Sequence, residues 1–172
     1  MATPAQVETF MRNNYRFLTD EETRNITEQY PRNITAEVPR HDVWFPAAQM
    51  AYGEATFICP AIHMLTAYAA HLAQPRAWGY RYNVADELNT AAGLGVPHLF
   101  ESFAIFGPDS VPNAPRSYYT YNAPVVPVAM DYWISFVRVR DPNPFRNPAA
   151  PAWLPWGPDQ RRLRFETANN SM

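Results

Sequence analysis

Bulky apolar residues fall at helical spacing along several stretches of this chain, and each stretch predicts a helix with one buried face. Gln6 to Tyr15 places Val7, Phe10 and Met11 on one side. Thr19-Asp20-Glu21-Glu22 is a capping box with Thr19 at the N-cap and Glu22 at N3. It opens a second helix that ends near Tyr30-Pro31. Residues 32–41 are a polar connection, followed by a helix from about Phe45 to Thr56. Pro60 suits the first turn of the next helix, which runs to Leu72 with Ile62, Leu65, Ala69 and Leu72 as its buried stripe. Val126 to Arg140 predicts a further helix, with Val128, Tyr132, Phe136 and Val139 on one side. Asp141-Pro142-Asn143-Pro144 ends it.

Period-two alternation is scarcer. Ala77 to Val84 alternates bulky with small or polar residues and predicts a strand, and Arg162 to Thr167 predicts another through Leu163 and Phe165. Residues 85–97 are read as a loop, Glu101 to Phe106 as a short helical turn, and 107–124 as an irregular excursion rich in Pro and Tyr. Residues 141–158 hold six prolines and predict extended loop. Two strands so far apart, among about six helices, do not make a stable sheet by themselves. The pattern therefore favours a fragment, or a piece that docks onto another.

Composition sharpens this picture in a few places. At 172 residues, with 47% apolar and 15% aromatic residues, the chain is long enough for one domain with a core. Its 18 prolines and 6 glycines imply long, stiff loops. The net charge of −2 offers no electrostatic case for nucleic acid or an anionic membrane surface. All 14 basic residues are Arg, which excludes Schiff-base chemistry on lysine. Cys59 is the single cysteine, so no internal disulfide forms, and it is expected to be a buried, inert small apolar residue. No apolar run of about 18 residues is present, so no membrane-spanning segment is expected. No signal peptide is read at Met1 to Gln6, and the compartment stays open. Asn25, Asn33 and Asn169 open N-x-[ST] triplets, which matter only in a secreted chain. His63 and His71 are eight residues apart on one helix, too far to share a metal, and His41 stands alone. No metal site and no cofactor is expected.

The chemistry-bearing segment is Gly95-Val96-Pro97-His98-Leu99-Phe100-Glu101-Ser102-Phe103-Ala104-Ile105-Phe106-Gly107. A histidine in a loop punctuated by Gly and Pro, just after a strand, is well placed for proton transfer. Phe100, Phe103 and Phe106 are expected to anchor that loop by burial. On residue type alone, His98 is a loop histidine without a task and Glu101 a carboxylate at a helix start. The Tyr118-Tyr119-Thr120-Tyr121 cluster reads as loop packing, with a substrate-pocket lining as the other reading.

The pattern H-x-x-E-x-x-x-x-F-G in this segment resembles the catalytic-histidine segment of the type-B carboxylesterases, the esterase/lipase family that includes the cholinesterases. Five further pieces follow in the family's order. Leu18-Thr19 with Tyr30-Pro31 resembles its "L-T … Y-P" helix, and Phe57-Ile58-Cys59-Pro60 its F-x-C-P. Trp78-Gly79-Tyr80-Arg81-Tyr82 is similar to its Y-x-Y-x-F strand. Tyr132-Trp133-Ile134-Ser135-Phe136 with Asp141-Pro142-Asn143 resembles W-x-x-F … G-D-P-N. Trp153-Leu154-Pro155-Trp156 with Leu163-Arg164-Phe165-Glu166 resembles the closing W-P-x-Y … L-x-F. Each piece is weak alone, and six in order are strong.

The resemblance implies an α/β fold in which residues 1–172 are an incomplete, C-terminal part of an α/β-hydrolase, mostly helical with an edge pair of β-strands. It implies that Trp78–Asn83 and Arg162–Glu166 pair, which we expect to be antiparallel. His98 would be the base of a Ser-His-Glu or Ser-His-Asp triad. Glu101 would support it, turned toward the loop's backbone or toward an upstream segment. The substrate would be a small carboxylic ester, once the missing N-terminal region completes the site. The departures are equally definite. None of Ser102, Ser110, Ser117, Ser135 and Ser171 lies in a G-x-S-x-G elbow, and no Gly-rich oxyanion loop is present. Two functions from different classes compete: the triad-histidine region of an ester hydrolase, and a non-catalytic, diverged or truncated piece that acts as an interaction protein.

Overall fold

Two short strands, β1 (Gly79–Tyr82) and β2 (Arg162–Phe165), are the only sheet among the described residues. They pair in parallel, with Tyr80 opposite Leu163 and Tyr82 opposite Phe165. This corrects the antiparallel expectation. Antiparallel neighbours can be joined by a hairpin, whereas residues 83–161 form a long crossover that carries a helix. The computed structural model describes residues 1–32, 38–71 and 76–167. The expectations placed on Asn33, Leu72, Asn169 and Met172 lie outside them.

The chain divides into two compact units, Met1–His63 with Ala91–Gly93, and Met64–Thr90 with Leu94–Met172. The first holds α1 (Pro4–Asn14), α2 (Asp20–Gln29) and α3 (Phe45–Gly53). Thr3 accepts from the Gln6 amide to cap α1, and Pro4 enters its first turn where an amide hydrogen has no partner. The expected capping box at Thr19 and Glu22 is formed in both directions. Val7, Met11, Ala48 and Ala51 make this unit's core, with Phe10, Tyr15 and Tyr52 packed around them. A π-turn over Glu54–Ile58 joins α3 to α4 (Cys59–His71), in place of the break expected before Pro60. Pro60 would crowd the carbonyl four residues back in a regular helix, and that carbonyl lies in the widened turn. The boundary between the units falls within α4. None of its residues is fully buried: Ile62, Leu65 and Ala69 are half-buried, and Cys59 is exposed rather than buried as expected.

The second unit packs aromatic residues against one face of the strand pair. After β1 come α5 (Glu87–Ala91), which replaces part of the expected loop, and α6 (Ser102–Ile105). Then α7 (Val125–Val139) leads to the proline-rich return and β2. Pro127 is tolerated in the first turn of α7, and Arg140 closes the helix in the left-handed conformation. The buried stripe of α7 is Val125, Ala129, Tyr132 and Ser135, rotated from the expected one; Phe136 and Val139 are 43% and 46% exposed. Tyr132 stacks edge-on against Trp153 and Phe165, at 5.3 and 5.9 Å between ring centroids. On the other side of β1, a β-carbon at Gly79 would come within 2.9 Å of the Trp156 ring, so only glycine fits there.

Ser135 shows why a polar residue sits in the stripe. Its hydroxyl donates to the Asp141 carbonyl at 2.7 Å and accepts from the Phe145 amide at 3.1 Å, fixing the turn that ends the helix. Ser135→Ala removes the partner of two partly buried backbone groups and should lower the unit's unfolding free energy by about 1 kcal/mol. Urea denaturation followed by tryptophan fluorescence checks this, since four of the five tryptophans belong to this unit.

Candidate active site

His98 lies in the segment that leads from α5 into α6, and it is exposed. The turn around it is built from short backbone bonds. The Phe100 amide donates to the Pro97 carbonyl at 3.3 Å, and the Ser102 amide to the Leu99 carbonyl at 3.1 Å. The Ser102 hydroxyl donates to that same Leu99 oxygen at 2.6 Å. Leu99 itself has φ of +66°, a conformation rare for a residue with a branched side chain. Phe100 is the buried anchor, with its ring 5.4 Å from Tyr118 and 5.6 Å from Phe103. Phe103 is half-buried and Phe106 is 63% exposed, so the expected three-ring anchor is corrected to one ring with a partial second. Ala104, fully buried on α6, takes the core position that Phe106 does not.

Glu101 is half-buried and accepts a hydrogen bond from the Tyr80 hydroxyl at 3.2 Å. It turns to the strand, not to the loop's own backbone or away from the chain as expected. Tyr82, two residues along on the same face of β1, pairs its hydroxyl with that of Tyr118 at 2.7 Å. Tyr118 in turn donates to the Phe100 carbonyl at 2.9 Å. Burial pushes the Tyr80 hydroxyl up to about 12 from its ordinary value near 10, and the charge and hydrogen bond of Glu101 add to this. Burial likewise raises Tyr82 and Tyr118. All three remain proton donors at neutral pH. Sequence reading missed these roles. The available signal was the i, i+2 spacing of Tyr80 and Tyr82, since a tyrosine on a core face must find a partner for its hydroxyl.

The other candidates are dispersed. His63 and His71 are both exposed on α4, and His41 is exposed and stacks on Phe45 at 3.9 Å. Among the described residues no three His, Cys, Asp or Glu side chains are grouped to hold a metal ion. Among the described residues no helix is long and apolar enough to cross a membrane. Within the tyrosine cluster, Tyr118 is in the core, Tyr119 is 53% exposed, and Tyr121 accepts from the Glu87 amide at 3.0 Å. A cavity of about 450 Å³ borders β2 and α7, lined by Val128, Tyr132, Ala150, Leu163, Phe165 and Glu166. His98 is not part of its wall.

Comparison with known families and structures settles the ancestry. The model of the carboxylesterase family matches residues 3–172. The chain belongs to the carboxylesterase family. Its fold is also similar to the crystal structure of Aspergillus niger EstA, with a TM-score of 0.88 and 43% sequence identity. That match covers 97% of this chain and 32% of EstA, so the carboxylesterase chain described here spans about a third of its relative's length. A fragment of an α/β-hydrolase fold accounts for a largely helical chain with one strand pair among its described residues.

Tyr80 offers a direct check on the site's electrostatics. An unfolded chain releases this proton near pH 10, whereas the folded unit holds it until about 12. The contribution to stability is therefore complete below pH 10 and is lost as pH rises through about 12. Glu101→Gln removes the neighbouring charge and should lower the Tyr80 ionisation, while burial, the larger cause, still holds it above its ordinary value. Alkaline titration of ring-labelled tyrosine by NMR, with Tyr80→Phe to assign the signal, measures both.

Proposed function

We propose that this chain is the C-terminal part of a carboxylic ester hydrolase and that His98 is the base of its catalytic triad, with Glu101 as a supporting residue. The observation that carries the reading is the exposed His98 turn, built on a left-handed Leu99, inside the H-x-x-E-x-x-x-x-F-G segment. Family membership over residues 3–172 makes ester hydrolysis the chemistry to expect. The nucleophile, the oxyanion donors and the triad acid would come from a segment outside this chain, which has no G-x-S-x-G elbow. His98 takes the proton from the attacking serine hydroxyl as the tetrahedral oxyanion forms. It then gives that proton to the leaving alkoxide, and an acyl-enzyme remains. In the second half, His98 takes a proton from water as it attacks the acyl carbon, then returns that proton to the serine oxygen as the acyl–serine bond breaks and the carboxylic acid leaves. The substrate class is a small carboxylic ester, and the chemistry calls on no cofactor.

Complementation tests this. The upstream part of a related esterase, co-expressed with this chain, should hydrolyse short p-nitrophenyl esters, whereas the chain alone should not exceed a buffer-plus-imidazole blank. His98→Ala in the active pair should lower kcat at least about a thousandfold. Full activity of the pair with His98→Ala overturns the assignment. A stable but inactive pair supports the competing reading of a non-catalytic interaction protein.

A further inference from the structure

Leu99 presents a physical problem. Its φ of +66° crowds the β-carbon against the backbone, and its side chain is 60% exposed, so its own packing does not hold it there. Such a conformation persists where neighbouring contacts over-determine it. Two carbonyls in succession supply those contacts. That of Leu99 accepts from both the amide and the hydroxyl of Ser102, and that of Phe100 accepts from the Tyr118 hydroxyl at 2.9 Å. Tyr118 is 1% exposed, and its single proton is committed to this bond. The 2.7 Å contact with Tyr82 must therefore be a donation from Tyr82 to Tyr118. A line of hydrogen bonds thus runs from β1 through Tyr82 and Tyr118 to the carbonyl two residues beyond His98.

We propose that Tyr118, with Tyr82 behind it, is a positioning residue for His98: its hydroxyl holds the Phe100 carbonyl and so keeps Leu99 in the left-handed conformation that sets the direction of the His98 turn. The catalytic consequence rests on the reading of His98 as triad base; the mechanical one does not. The Tyr118 ring also packs on Phe100 and Phe103, so the hydroxyl has to be separated from the ring. Tyr118→Phe does this, since it removes one oxygen and keeps the ring. Burial raises both hydroxyls, which keeps the line of donors intact across the working pH range of an esterase.

The test is amide hydrogen exchange by mass spectrometry on the full chain at micromolar concentration. Tyr118→Phe should speed exchange at residues 98–102 about tenfold, as expected for loss of one hydrogen bond to a buried carbonyl, with α7 unchanged. Tyr82→Phe should act in the same direction and less strongly. Leu99→Gly added to Tyr118→Phe should restore protection, because glycine accepts this conformation without being held. A contribution of the hydroxyl to general stability alone is not rescued by a change at residue 99. In the complemented esterase, Tyr118→Phe should lower kcat about tenfold with KM unchanged. Unchanged exchange at 98–102, or failure of Leu99→Gly to rescue, overturns the proposal. If Tyr118→Phe also deprotects α7, Tyr82→Phe decides by the same criterion. Activity that survives His98→Ala refutes the triad assignment and leaves the exchange result to judge the turn by itself.

Discussion

The indole of Trp153 ties the second unit together. Its N–H donates to the Gly79 carbonyl at 3.0 Å, so the proline-rich return is pinned to the first residue of β1. Its backbone amide donates to the Asn143 side chain at 2.7 Å, and its carbonyl accepts from the Trp78 indole and from Asn143. Its ring lies edge-on to Tyr80, Tyr132 and Phe165. A parallel pair of four-residue strands is marginal by itself, because its hydrogen bonds are few and slanted. Aromatic burial, at about 1.5–3 kcal/mol for a fully buried ring, supplies what the ladder lacks.

The candidate site inherits its geometry from that arrangement. With β1 fixed, Tyr80 and Tyr82 face the same side, and their hydroxyls reach Glu101 and Tyr118. The segment that carries His98 has one well-buried ring, Phe100, and takes hydrogen bonds from Tyr80 at Glu101 and from Tyr118, itself bonded to Tyr82, at the Phe100 carbonyl. The contacts that hold it are directional bonds as well as hydrophobic area. That would suit His98 in its proposed role as triad base, since a proton must pass over about 3 Å along a hydrogen bond.

How much of this could be read in the chain depended on whether the signal was local. The Thr19 capping box, the helices and both strands follow from residues within a turn or two of each other, and they form. The order of short motifs was enough to place the chain in the carboxylesterase family. What failed was rotational or long-range. The buried stripe of α7 is turned toward Ala129 and Ser135 because the aromatic cluster from β1, β2 and the return needs close approach there. Small residues at that face carry no hydrophobic signal. The parallel direction of the strands depends on the whole path from 83 to 161, which no local pattern encodes. Phe106 scored as an anchor by residue type and lies exposed, while Ala104 fills the core. For His98, residue type alone said little, and the matched segment around it said more.

Strand direction also explains one polar residue in the core, Asn122. In a parallel pair both strands leave at the same end, and something must close that end. Asn122, fully buried, donates to the Ala85 carbonyl after β1 at 2.8 Å and accepts from the Thr167 hydroxyl after β2 at 2.9 Å. Asn83 adds a second link, donating to Glu166 at 2.7 Å. An antiparallel partner would leave Ala85 and Thr167 at opposite ends, beyond the reach of one side chain. A one-residue slip in register would carry alternate side chains of the slipped strand to the wrong face, and would break the Asn122 bridge. An apolar residue at 122 could fill the volume but would favour no register over its neighbour. The buried amide therefore specifies direction and register together. It does so at the end of β1 from which the chain departs toward His98, so the first constraint on that excursion is applied where it begins.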